Sequence, residues 1–113
     1  MSAAVYQAHL RDIVADLRGC GVFAPMFVAA ATYCEAGPHP FNNAAQIRDA
    51  QLTVTERSVG VFPGPDVDAV TADGRYDGCH LSEAGLQRCA ELWFEVLAPR
   101  RNLLLKPRHA AAR

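Results

Sequence analysis

Pro25-Met26-Phe27-Val28-Ala29-Ala30-Ala31-Thr32 is almost wholly apolar and shows no alternation. A run of that length without a polar face suits a strand covered on both sides, as in a parallel sheet. The alanine triplet is a weak strand former, so the reading of Met26 to Thr32 as a strand rests on what flanks it. Upstream, Tyr6, Leu10, Ile13, Val14 and Leu17 recur at helical spacing, with His9, Arg11, Asp12, Asp16 and Arg18 elsewhere, until Gly19 and Gly21 stop the helix. Downstream, Gly37, Pro38 and Pro40 punctuate a loop from Cys34 to Phe41, after which Asn42 or Asn43 caps a second helix reaching about Thr55. A short strand, Val59 to Phe62, ends at Pro63-Gly64-Pro65. Asp66 to Tyr76 is a polar, turn-rich connection with a small apolar patch at Val67, Ala69 and Val70. Ser82 then caps a last helix with Glu83 near its positive end. Leu86, Cys89, Ala90, Trp93, Phe94 and Leu97 form its inner stripe, and Pro99 ends it.

The order helix, strand, helix, strand, helix predicts an α/β chain, with successive right-handed crossovers and a parallel sheet covered by helices. Two strands do not make such a sheet. An apolar strand wants neighbours on both edges, and an open edge invites aggregation. The expectation is that further strands precede Met1, or else that an oligomer completes the sheet between chains.

The 113 residues suffice for one domain with a modest core. Half are apolar, a fifth are charged, and the net charge is −1, which points away from a disordered chain and from a nucleic-acid binder. No run approaches the roughly 18 apolar residues of a membrane span. No basic start followed by an apolar run marks a secretory leader in this chain, and the site of action stays open.

The chemistry concentrates in Tyr76-Asp77-Gly78-Cys79-His80-Leu81-Ser82-Glu83-Ala84-Gly85-Leu86. Asp77 and His80 stand three apart just before a helix, and Gly78 permits the turn that points both side chains one way. A carboxylate in that position accepts a hydrogen bond from one imidazole nitrogen, fixes the tautomer and stabilises the imidazolium. The other nitrogen is then left to act as general base towards a hydroxyl. The loop also follows the second strand, on the side where open α/β sheets place their sites. On spacing alone a capping carboxylate beside a surface imidazole is the stronger reading, and context has to favour the catalytic one.

The block Asp77-Gly78-Cys79-His80-Leu81-Ser82-Glu83-Ala84-Gly85-Leu86, with Cys89 to Leu97 after it, resembles the final block of SGNH (GDSL-like) hydrolases. The closer likeness is to their sialate O-acetylesterase-like carbohydrate esterases. Asn42-Asn43-Ala44-Ala45-Gln46-Ile47-Arg48-Asp49-Ala50-Gln51, followed by Val59 to Phe62, is also similar to that group, so the resemblance runs from about Tyr6 to Leu97. It implies a three-layer α/β/α, flavodoxin-like fold, represented here by about two parallel strands and three helices. It also implies hydrolysis of an acyl ester, typically an O-acetyl group on a carbohydrate, with no metal or organic cofactor. By position, His80 would be the base and Asp77 its orienting carboxylate. Residues 1–98 would be the C-terminal part of such a domain, and 99–113 a basic, disordered tail whose bland reading is a solvated terminus.

The family's serine, in a Gly-x-Ser or Gly-Asp-Ser turn, has no counterpart. Ser2, Ser58 and Ser82 are the only serines, none in such a turn, and the Gly and Asn donors of the oxyanion hole are not recognisable either. Negligible esterase activity is therefore expected of the chain alone. The competing reading is a non-catalytic α/β module that completes its sheet with a partner or with itself.

Cys20, Cys34, Cys79 and Cys89 show no C-x-x-C pair. Reduced core thiols are the favoured reading, with one or two disulfides as the alternative. A metal site built from Cys79 beside His80, with Cys34, His39 and Cys89, matches no familiar spacing, and none is assigned. Thr32, Tyr33 and the loop to Asn43 either line a cleft or form a plain surface loop. Trp93 and Phe94 read as core and not as a platform for sugar.

Overall fold

In the computed structural model the described residues are 1–35, 44–55 and 59–105. The elements follow the expected order: α1 (Ala3–Gly19), β1 (Met26–Ala30), α2 (Ala44–Thr53), β2 (Val61–Asp66) and α3 (Glu83–Leu97). A short α4 (Arg101–Leu105) follows, in a stretch assigned to the tail on sequence; residues 106–113 and the cap position at Asn42 or Asn43 lie outside the described residues. β1 and β2 pair in parallel as a two-stranded sheet, so the α/β class and the parallel pairing hold. No helix among the described residues is long and apolar enough to cross a membrane.

Both strand boundaries differ from expectation. β1 stops at Ala30 because side chains capture the next amides: Ala31 N–H donates to Gln51 Oε1 (3.0 Å) and Thr32 N–H to Asp68 Oδ1 (2.6 Å). β2 starts at Val61 and runs through Pro63-Gly64-Pro65, the residues expected to end it. An outer edge and a bulge are among the places where a sheet tolerates proline, and this strand uses both. Met26 N–H donates to Gly60 O (2.9 Å), so alternate residues from Gly60 face β1, and exposed Pro63 turns its N–H-less nitrogen to the outer edge. The register then slips: Val28 lies opposite Pro63, but Ala30 lies opposite Asp66. Pro65 sits in this bulge, which absorbs the missing donor.

The core is Val14 of α1, Ala30 of β1, Ala50 and Val54 at α2, Val61 of β2, and Val70. On α1 the predicted stripe is only partly used, since Val14 is buried while Ile13 is 51% exposed. The stripe of α3 needs a larger correction. Gly85 is buried and Cys89, Trp93 and Leu97 are half-buried, but Leu86, Ala90 and Phe94 are exposed, Phe94 at 72%. The helix is apolar on two faces and covered on one. Periodicity marks which positions are apolar; it does not count the neighbours that cover them.

α3 is seated by a glycine-on-glycine contact. A Cβ on Gly85 would lie 1.9 Å from Gly74 O, inside the backbone of the short 3-10 segment Ala72–Gly74. Gly85→Ala should gain about 1 kcal/mol in helix propensity. The clash with a fixed carbonyl exceeds that, because overpacking against backbone costs roughly 3 kcal/mol. A net loss of about 2 kcal/mol in urea unfolding is expected. An unchanged midpoint would show that α3 is not seated by this contact.

Candidate active site

The segment Arg75–Leu81 is a tight loop closed by an antiparallel bridge between its end residues. Tyr76 N–H donates to His80 O (3.1 Å) and Ser82 N–H to Gly74 O (2.9 Å). Gly78 adopts φ +79°, a left-handed conformation that disfavours a side chain, which is the turn its place between Asp77 and His80 suggests. The result brings Asp77 and His80 together. Asp77 Oδ2 lies 2.6 Å from His80 Nδ1, while Oδ1 accepts the amides of Cys79 (2.9 Å) and His80 (2.7 Å). One carboxylate thus folds the loop with one oxygen and orients the imidazole with the other.

The hydrogen bond from the His80 side chain, and then that from its amide, lower the Asp77 pKa to about 2. Asp77 therefore stays ionised throughout the neutral range, as an orienting carboxylate must. With Nδ1 engaged, Nε2 has no hydrogen-bond partner among the described residues, and the His80 side chain is 69% exposed. Tyr76 lies beside it, ring centroids 5.8 Å apart and nearly parallel, and is itself 71% exposed. An apolar cleft of about 250 Å³, lined by Arg11, Val14, Ala15, Arg18, Val54, Val59 and Val61, opens at the other end of the strands. It takes no part in this site.

The loop is tied to the exit of β1. Cys34 and Cys79 form a disulfide across 45 residues, and Glu35 N–H donates to Gly78 O (2.9 Å). The expectation of four reduced thiols is thereby corrected: two are joined, whereas Cys20 and Cys89 are free. No spacing rule could have paired them, because the pairing follows from β1 and the loop meeting at the carboxyl ends of the strands. Among the described residues no three His, Cys, Asp or Glu side chains cluster as metal ligands. His39 and the rest of 36–43 lie outside those residues.

Below the loop a second network holds the strand ends. Arg48 makes a bidentate pair with Asp66 (2.7 and 2.7 Å) and reaches Asp68 Oδ2 (2.8 Å). Asp68 accepts the amides of Thr32 (2.6 Å) and Tyr33 (2.8 Å) and the Thr32 hydroxyl (2.8 Å). Burial pushes the Asp68 carboxyl up, but these hydrogen bonds together with Arg48 outweigh it and leave it below the usual range. Gln51, buried on α2, accepts from Ala31 N–H and donates to Tyr6 Oη (3.1 Å), joining α2, β1 and α1. Thr32 and Tyr33, left on sequence between cleft lining and plain loop, are anchor points for Asp68.

Two of the three serines are helix caps. Ser82 Oγ accepts from Gly85 N–H (3.2 Å), and Ser2 Oγ from Val5 N–H (3.3 Å). Ser58 lies outside the described residues. No family model, curated protein or solved structure matches the chain.

Proposed function

We propose that the chain carries the base and its orienting carboxylate for a serine esterase of the SGNH type, one that removes O-acetyl groups from carbohydrate. The observation that carries this is the 2.6 Å contact between Asp77 Oδ2 and His80 Nδ1 on an exposed imidazole whose Nε2 has no partner among the described residues. Such a pair takes a proton from a serine hydroxyl, holds it through the tetrahedral intermediate and returns it to the leaving alkoxide. The serine and the oxyanion donors would come from strands preceding β1 in a three-layer α/β/α domain of which residues 1–98 are the C-terminal part. The β2 edge supports that arrangement: exposed Pro63 blocks pairing there, leaving the β1 edge to receive a further strand.

The test is chemical. Sequence encoded upstream and in frame should contain a Gly-x-Ser turn, and the longer protein should hydrolyse an aryl acetate that residues 1–113 leave untouched. A longer frame without that turn, or equal turnover by both proteins, would overturn the proposal.

A second reading draws support from the exposed Leu86, Ala90 and Phe94 on α3. On this view the chain is a non-catalytic module that completes its layers with a second copy. It requires a stable stoichiometric oligomer, which sedimentation would detect.

A further inference from the structure

We propose that Arg75 is a positioning residue for His80, clamping the Cys79–His80 peptide so that the imidazole keeps its place at the strand ends. The inference rests on reading His80 as the base. The Cys79–His80 peptide is held from both sides: its N–H donates to Asp77 Oδ1 (2.7 Å), and its carbonyl, Cys79 O, accepts from Arg75 Nη1. Gripping both poles of one peptide plane fixes its tilt, and the tilt sets the direction in which the His80 side chain leaves the backbone.

Arg75 brings the rigidity to this clamp from elsewhere. Its Nε donates to Val70 O (2.8 Å) and its Nη2 to Val67 O (3.4 Å), both in the segment leaving β2. Its guanidinium carbon stands 4.7 Å from the ring centroid of Tyr33, at the exit of β1. One side chain therefore joins three segments, the β1 exit, the β2 exit and the Asp77–His80 loop. Among the described residues Arg75 makes no ion pair with a carboxylate; its donors are spent on carbonyls. That use suits a planar fork of donors and is poorly served by a single ammonium. The disulfide does not duplicate it, since it grips the Cys79 side chain and leaves the peptide plane free to rotate.

The experiment compares R75K and R75Q with the unaltered chain by NMR, following the Asp77 carboxyl carbon and the His80 ring through a pH titration, with Tm measured alongside. The low Asp77 pKa depends on its bonds to His80, so a freed peptide plane should raise it by about one unit towards the ordinary carboxylate value. The His80 ring signals should broaden or shift as well. R75K keeps the charge and the stem, so it reports on the fork even if R75Q does not fold. If Asp77 titrates where it does in the unaltered chain and the ring signals are unmoved, the proposal is overturned, whatever happens to Tm. The readout involves no turnover, so it can fail while the esterase reading stands, and the reverse also holds.

Discussion

His80→Ala, made in a longer protein that carries the Gly-x-Ser turn, is expected, if the proposed esterase function holds, to lower kcat for an aryl acetate by about 10³-fold. General acid–base catalysis contributes roughly 10² to 10⁴, and in the proposed reaction one imidazole would serve both acylation and deacylation. The fold should be little affected. The His80 side chain is 69% exposed, and the loop keeps the bonds from Asp77 Oδ1 to the amides of residues 79 and 80 in the variant. Tm should therefore stay within a few degrees while turnover collapses. A kcat within a few-fold of the unaltered enzyme would remove His80 from the reaction and leave the Asp77 contact as a turn-forming bond only.

Breaking the Cys34–Cys79 bond is expected to have the largest effect on stability. In the chain-entropy account, a cross-link closing a loop of this size, between residues 45 apart, restrains the unfolded chain by about 4 kcal/mol. That is a large share of the 5–15 kcal/mol typical of small domains. Cys34→Ser with Cys79→Ser should therefore lower the unfolding free energy measured in urea by most of that amount, and the midpoint with it. Dithiothreitol should do the same to the unaltered chain by thiol exchange, consuming one dithiol and releasing two cysteine thiols. Cys20→Ser should change little, since Cys20 is exposed and unpaired. A urea midpoint indifferent to reductant would mean that the two thiols are not joined in solution.

The parts of the site that were legible in the sequence are the local ones. Asp77 and His80 are three residues apart, Gly78 supplies the turn between them, and Ser82 caps the helix that follows, so neighbours in sequence settle each contact. Arg75 escaped notice because its partners are backbone carbonyls, which carry no residue identity. Arg48 and Gln51 entered only as marks of resemblance. Their physical task, holding Asp66, Asp68, Ala31 and Tyr6, depends on the crossover that brings α2 over the strand ends. The Pro63-Gly64-Pro65 run was read as a stop, since proline and glycine usually interrupt strands; an edge position and a bulge are tertiary facts. The covered and open faces of α3 could not be separated for the same reason.

Pro63 also limits what this chain can do in a crowd. A strand with donors on both edges is a template that each added chain renews, and growth has no end. Among the described strands the rim along β1 is the better able to recruit, because beyond β2 the row of donors is broken at Pro63. Whatever adds along β1, the far side offers no fresh start. Of the described strands, β2 is the one that ends a sheet and β1 the one that can extend it.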